Sequence, residues 1–195
     1  MLRNILLLVF ACAVVGVHGQ SGAKKSEWPA YGGDTGHTRY SPLDQIDATN
    51  FSKLTIAWRF KTEHLGPRPE FRFESTPVMA NGVLYSTGGT RRAVVAIDPE
   101  TGEELWVHSE REGARAGVAP RQLSGRGLAY WTDGKEERIL YVTIGYQLVA
   151  LNAKTGMGGG EVFVESRLSE TILVSDAFFP FADGIEAAAE AGIRN

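Results

Sequence analysis

The sequence predicts an all-β fold built from repeated antiparallel units, and three observations carry that prediction. Its 23 glycines cluster in pairs and turns between short apolar runs, a pattern that favours short strands over long helices. Two such runs meet at Asn81-Gly82, the pair best suited to a type I′ hairpin. Finally, "AIDPETG" (96–102) returns as "ALNAKTG" (150–156), with Ala96, Asp98, Thr101 and Gly102 matched to Ala150, Asn152, Thr155 and Gly156 at a constant offset of 54. A four-stranded unit returning at about this period is the signature of a β-propeller.

The elements follow in chain order. Residues 1–19 hold Arg3 and the apolar run Ile5–Val17, which is short for a membrane span and ends near Val17-His18-Gly19. They read as a secretory signal peptide, which implies a periplasmic or secreted protein. The single cysteine, Cys12, lies within it, so the mature chain would have neither a disulfide framework nor a thiolate metal site. Residues 20–27, with Lys24 and Lys25, suit a linker. "WPAYGGDTGHTRY" (28–40) reads as an irregular loop whose aromatics pack down. "KLTIAWRFKT" (53–62) alternates in the strand manner, placing Leu54, Ile56, Trp58 and Phe60 on one face.

From Thr76 the first unit is complete. The hairpin 76–88 is followed by a third strand in "RAVVAID" and a fourth in "EELWVHS". Between these two, Asp98 can accept backbone N–H bonds, Thr101 can close the turn with its hydroxyl, and Gly102 can supply positive φ. Trp106 then falls on the outer strand, able to pack against a neighbouring unit. "GLAYWTD", "RILYVTIG" and "YQLVALNAKTG" begin the order again.

Other chemistry is thinly represented. The formal net charge of −3 gives no global attraction for nucleic acid. His18, His37, His64 and His108 show no metal-ligand spacing, and "GGDTGH" lacks the lysine and following helix of a phosphate loop. Arg111, Arg115, Arg121 and Arg126 form a basic segment that reads as a solvated loop.

The turn Ala-x-Asp/Asn-x-x-Thr-Gly-x-x-x-Trp resembles the blade-closing motif of pyrroloquinoline-quinone (PQQ) dependent dehydrogenases. "WPAYGGDTGHTRYSPLDQI", "FESTPVMANGVLY" and "SGRGLAYWTDGKEERILYVT" strengthen the resemblance over residues 28–156. The resemblance implies an eight-bladed quinoprotein propeller with PQQ and a calcium ion on its axis. It also implies oxidation of a sugar or alcohol hydroxyl in the periplasm, with electrons passed to a quinone or cytochrome, and it leaves membrane association open. Two positions carry over by motif: Glu74 as a hydrogen-bond partner of the quinone cofactor, and Arg126 as the partner of a cofactor carboxylate. PQQ is a tricarboxylate, and a guanidinium fork meets a carboxylate bidentately. The adjacent cysteine pair of alcohol-oxidising members is absent from "APRQLSGRG", which favours the glucose-type branch. Calcium ligands and the catalytic aspartate are expected in later blades, so two to three blades alone would be inactive, and no catalytic or metal residue is assigned. The competing reading is a non-enzymatic propeller scaffold of the outer-membrane-assembly type.

After Gly156 the pattern changes. Residues 157–195 read as a divergent, chimeric tail with strand, turn and helix, Asp183 capping an alanine-rich helix that Gly192 ends. "SDAFFPFADG" resembles a segment of the bifunctional purine-biosynthesis formyltransferase/IMP cyclohydrolase, from which no site residue is carried over.

Overall fold

A computed structural model of the chain describes residues 27–68, 70–125 and 127–158. The signal-peptide reading, most of the linker and nearly all of the tail lie outside the described residues, as does Arg126.

Among the described residues, two antiparallel meanders make up the fold. The first has four strands in sequential order: β1 (Val78–Ala80), β2 (Val83–Gly88), β3 (Ala93–Ile97) and β4 (Glu104–His108). The second has three: β5 (Ala129–Thr132), β6 (Glu137–Val142) and β7 (Leu148–Asn152). A short helix, α1 (Ala114–Val118), lies in the crossing between them. β1 and β2 pair up to Ala80–Val83, leaving a two-residue loop in which Asn81 (φ 50°) and Gly82 (φ 75°) both adopt positive φ. That is the type I′ geometry expected of Asn-Gly. Trp28 extends the first sheet by bridging Met79, exchanging N–H···O bonds of 2.8 and 2.9 Å.

β3 is apolar along its whole length because both of its faces are covered. Val94 and Ala96 join a core with Val78 and Tyr85 of the first sheet and Ile139, Tyr141 and Leu151 of the second. Ala93, Val95 and Ile97 point the other way, into a smaller core with Leu65, Trp58 and Phe60. The first core is therefore the interface between the two sheets. Tyr85 donates its hydroxyl to the carbonyl of Ala153 at 3.1 Å, and burial, helped by Glu137, pushes its pKa up to about 12.

The repeated turn forms twice with the same hydrogen bonds. Asp98 Oδ1 accepts from the N–H groups of Glu100 and Thr101, both at 2.9 Å. Asn152 Oδ1 accepts from those of Lys154 and Thr155 at 3.0 and 3.1 Å. Thr101 and Thr155 close the turns by accepting from Glu103 and Met157. Gly102 (φ 75°) and Gly156 (φ 67°) take the left-handed position.

Each of these glycines carries the tryptophan of the preceding unit. A Cβ on Gly156 would lie 2.5 Å from the Trp106 ring, and one on Gly102 would lie 2.6 Å from the Trp58 ring. The indoles also donate to the turns, Trp106 Nε1 to the Ala153 carbonyl at 3.0 Å and Trp58 Nε1 to the Pro99 carbonyl at 2.9 Å. Trp106 reaches its position through a bulge: Ala96 pairs with Trp106 and Ile97 with Glu104, leaving Leu105 unpaired in register.

Two expectations need correction. Residues 53–62 do not join a sheet; they begin in a 3-10 turn (Phe51–Lys53) and run on without strand pairing, with Leu54 53% and Ile56 65% exposed. Alternation alone cannot make a strand where no neighbour supplies hydrogen bonds. In the loop 28–40 only part of the aromatic set packs: Trp28 sits against Gly33, whereas Tyr31 and Tyr40 are more than half exposed.

Gly156→Ala should cost about 3 kcal/mol, the sum of left-handed strain and the clash with Trp106. Gly134→Ala, also at positive φ (87°) but with nothing within 4 Å of its Cβ, should cost only about 1 kcal/mol. Urea unfolding of the two variants measures the difference. The turn acid gives a second expectation. N–H groups of Thr101 and then Glu100 hold the Asp98 carboxyl below its ordinary pKa. Its stabilisation is thus present above the unfolded value and lost as pH falls through the folded one. Asp98→Asn, which copies Asn152, should make the urea midpoint fall less between about pH 5 and about pH 2.5 than in the parent.

Candidate functional site

The meander order puts the Trp-bearing turns at one edge of the sheets and a set of polar loops at the other. That second edge carries the approach to β1 (residues 70–77), the β2–β3 turn, the crossing 109–128 and the β6–β7 turn. Glu74 lies here, four residues before β1 begins at Val78, and it is fixed from both sides. Its N–H donates to the hydroxyl of the buried Ser124 at 3.2 Å. The next residue, Ser75, accepts from the N–H and hydroxyl of Thr87 at 3.0 and 2.9 Å and lies 2.9 Å from the Ser86 hydroxyl.

The loop that follows Ser124 comes close to this segment. Gly125 (φ 69°) passes so near Arg92 that a Cβ would lie 2.6 Å from Nε, and a Cβ on Gly127 (φ 132°) would lie 3.1 Å from the Thr76 carbonyl oxygen. Glycine is required by conformation and by space at both positions. Arg126, the residue between them, lies outside the described residues.

Arg92 organises this edge. From the β2–β3 turn its guanidinium donates to the carbonyls of Leu123, Val142, Thr143 and Arg121 at 3.0–3.3 Å. Burial lowers its pKa from the ordinary value, with Tyr146 and Glu112 opposing that shift. Two carboxylates satisfy N–H groups in the same region. Glu70 accepts from Ser124 at 2.9 Å and Gly89 at 2.8 Å, and Glu112 accepts from the Thr143 hydroxyl and from Gly145 N–H at 2.8 Å. Arg92, Glu70 and Ser124 escape a reading of the sequence because nothing in their spacing marks them. Only the twin glycines around Arg126 hint that a loop must come close to something.

Between these loops lies an open cavity of about 630 Å³ whose charged lining is Glu74 with Arg68, Arg72, Arg92 and Arg121. Glu74 pairs with Arg72 Nε at 2.7 Å, with side chains 33% and 72% exposed. An exposed pair of this kind is worth little and exchanges readily for another hydrogen-bond partner. With Arg92 committed to backbone carbonyls, the guanidinium groups of Arg68, Arg72 and Arg121 make the cavity suited to a ligand carrying several carboxylates. The donor set therefore fits PQQ, a tricarboxylate. Among the described residues no cluster of His, Cys, Asp and Glu could hold a metal ion.

Comparison with known proteins agrees with this architecture. The family model described as "PQQ: Glucose/ethanol/alcohol dehydrogenase, beta-propeller domain" matches residues 28–161. The chain is 34% identical over 139 residues to the dehydrogenase subunit of the quinone alcohol dehydrogenase of Gluconobacter oxydans, covering 70% of this chain and 17% of that protein. It is 31% identical over 163 residues to the glycerol dehydrogenase large subunit of the same organism, covering 75% of this chain and 21% of that protein. The crystal structure of the quinohemoprotein alcohol dehydrogenase of Comamonas testosteroni matches with a TM-score of 0.58 at 30% identity, over 72% of this chain and 20% of that one. The chain thus spans about a fifth of the length of these relatives. Its repeated turns, its two meanders and the match over residues 28–161 place it in the family of PQQ-type glucose/ethanol/alcohol dehydrogenase β-propeller domains.

Proposed function

We propose that this chain is the N-terminal part of a periplasmic PQQ-dependent dehydrogenase that oxidises the hydroxyl group of an alcohol, a polyol or a sugar. The observation that carries this reading is the arginine-lined cavity beside Glu74, at the loop edge of a propeller of this family. The relatives' names refer to alcohols and to glycerol, and the missing cysteine pair keeps a sugar within the substrate class. A quinone or a cytochrome is the proposed electron acceptor.

The chemistry that PQQ supplies when bound is acceptance of the two electrons and hydrogen given up by the CH–OH carbon. The residues of this chain hold and orient. Glu74 offers a carboxylate that hydrogen-bonds a polar edge of the cofactor once it leaves Arg72. Arg126 pairs with a cofactor carboxylate, and the close approach of Gly127 to Thr76 keeps its loop beside Glu74. Arg92, spent on four carbonyls, gives this side of the cavity a rigid wall and a fixed positive charge. Ligands for a calcium ion and the proton acceptor are proposed for the remaining four-fifths of the relatives' length, and none is assigned among the described residues.

Titration of PQQ into the chain, followed by quenching of tryptophan fluorescence, tests this reading. Saturable binding is expected, weakened at least about tenfold by Arg126→Ala, as befits loss of a charge-assisted hydrogen bond worth about 1.5–3 kcal/mol. Glu74→Gln, which keeps the size and loses the charge, should weaken it less. Equal binding by parent and both variants, or none by the parent, would overturn the reading and leave the scaffold alternative.

A further inference from the structure

We propose that Glu70 is a positioning residue for the cofactor site, acting through Ser124 to hold Glu74 in register. This rests on the cofactor reading above. The side chain of Glu70 does not line the cavity; it stands behind the loops that do. One carboxylate oxygen accepts from Ser124 N–H at 2.9 Å, and the other accepts from Gly89 N–H at 2.8 Å. The Ser124 hydroxyl in turn accepts from Glu74 N–H at 3.2 Å. Glu70 and Glu74, four residues apart in the chain, are thereby closed into a loop through a residue fifty positions further on.

The donors that Glu70 satisfies have no easy substitute. Ser124 is 1% exposed, so its N–H cannot turn to water if the carboxylate is removed. Gly89 takes φ 71°, and a Cβ there would lie 2.4 Å from the Leu65 carbonyl oxygen, so its turn is packed on the 3-10 turn Glu63–Leu65. A single side chain thus ties together the approach segment, the β2–β3 turn and the glycine loop. Neutralising or shortening it frees two of those three, and displacement of about 1 Å in a site can cost a hundredfold in binding or rate.

Glu70→Ala, Glu70→Gln, Glu74→Ala and the Glu70→Ala/Glu74→Ala double variant are compared by PQQ titration and by amide hydrogen exchange. Glu70→Ala should weaken binding roughly tenfold or more, and Glu70→Gln, which retains one acceptor oxygen, by a smaller factor. Because Glu70 acts chiefly through Glu74, Glu70→Ala should cost less in the Glu74→Ala background than in the parent. Exchange should quicken at Gly89 and Ser124 and stay unchanged at Gly102 and Gly156, on the opposite edge. An equal loss in both backgrounds, unchanged affinity in Glu70→Ala, or exchange quickened uniformly through both sheets would overturn the proposal. Absence of PQQ binding by the parent chain sinks the cofactor reading instead, and the positioning role falls with it. Binding by the parent that is indifferent to Glu70 sinks the positioning role alone.

Discussion

An indole resting on a bare glycine backbone holds this molecule together. At Gly156 the left-handed φ turns the chain, and the missing side chain leaves a seat for Trp106. The Trp106 N–H then donates to the carbonyl of Ala153, so that the contact has a direction as well as an area. One sheet is keyed to a turn of the next, and the faces of the two sheets close over a shared core of Val94, Ala96, Ile139 and Leu151. Trp58 and Gly102 repeat the arrangement one unit earlier, with Pro99 in the place of Ala153. Residues 53–60 therefore stand to the first sheet as β4 stands to the second, although they pair with no strand among the described residues.

Once the sheets are keyed at the turn edge, the opposite edge becomes a meeting place for loops. Its backbone groups are satisfied mostly by long charged side chains rather than by a ladder. Arg92 covers four carbonyls, and Glu70 and Glu112 cover N–H groups on the neighbouring turns. Buried or half-buried charges held this way are costly unless every bond is made, and that cost makes the loops specific in position. The hard apolar interface and the charged loop edge divide the labour: the first sets the spacing of the sheets, and the second sets where the loops stand.

Much of this was legible in the residues. The type I′ hairpin followed from Asn81-Gly82, the paired turns from the echo of Asp98-x-x-Thr101-Gly102, and the interblade role of Trp106 from its fixed distance after the turn. Each depends on local geometry that a few residue types can satisfy. Residues 53–62 show the limit of that reasoning. Their alternation is real, yet Leu54 and Ile56 stay exposed because strand character needs a partner that the pattern does not name.

The sequence by itself determined the repeat, the strand order and the two candidate positions, Glu74 and Arg126, because turn chemistry and motif are local. Only the tertiary structure decided what surrounds Glu74. It brought Ser124 to the N–H of Glu74 across fifty residues, set Glu70 behind both, and committed Arg92 to backbone carbonyls rather than to solvent. Those partners are chosen by how two sheets pack, and no spacing in the chain encodes a contact that depends on a tryptophan finding its glycine at the far edge.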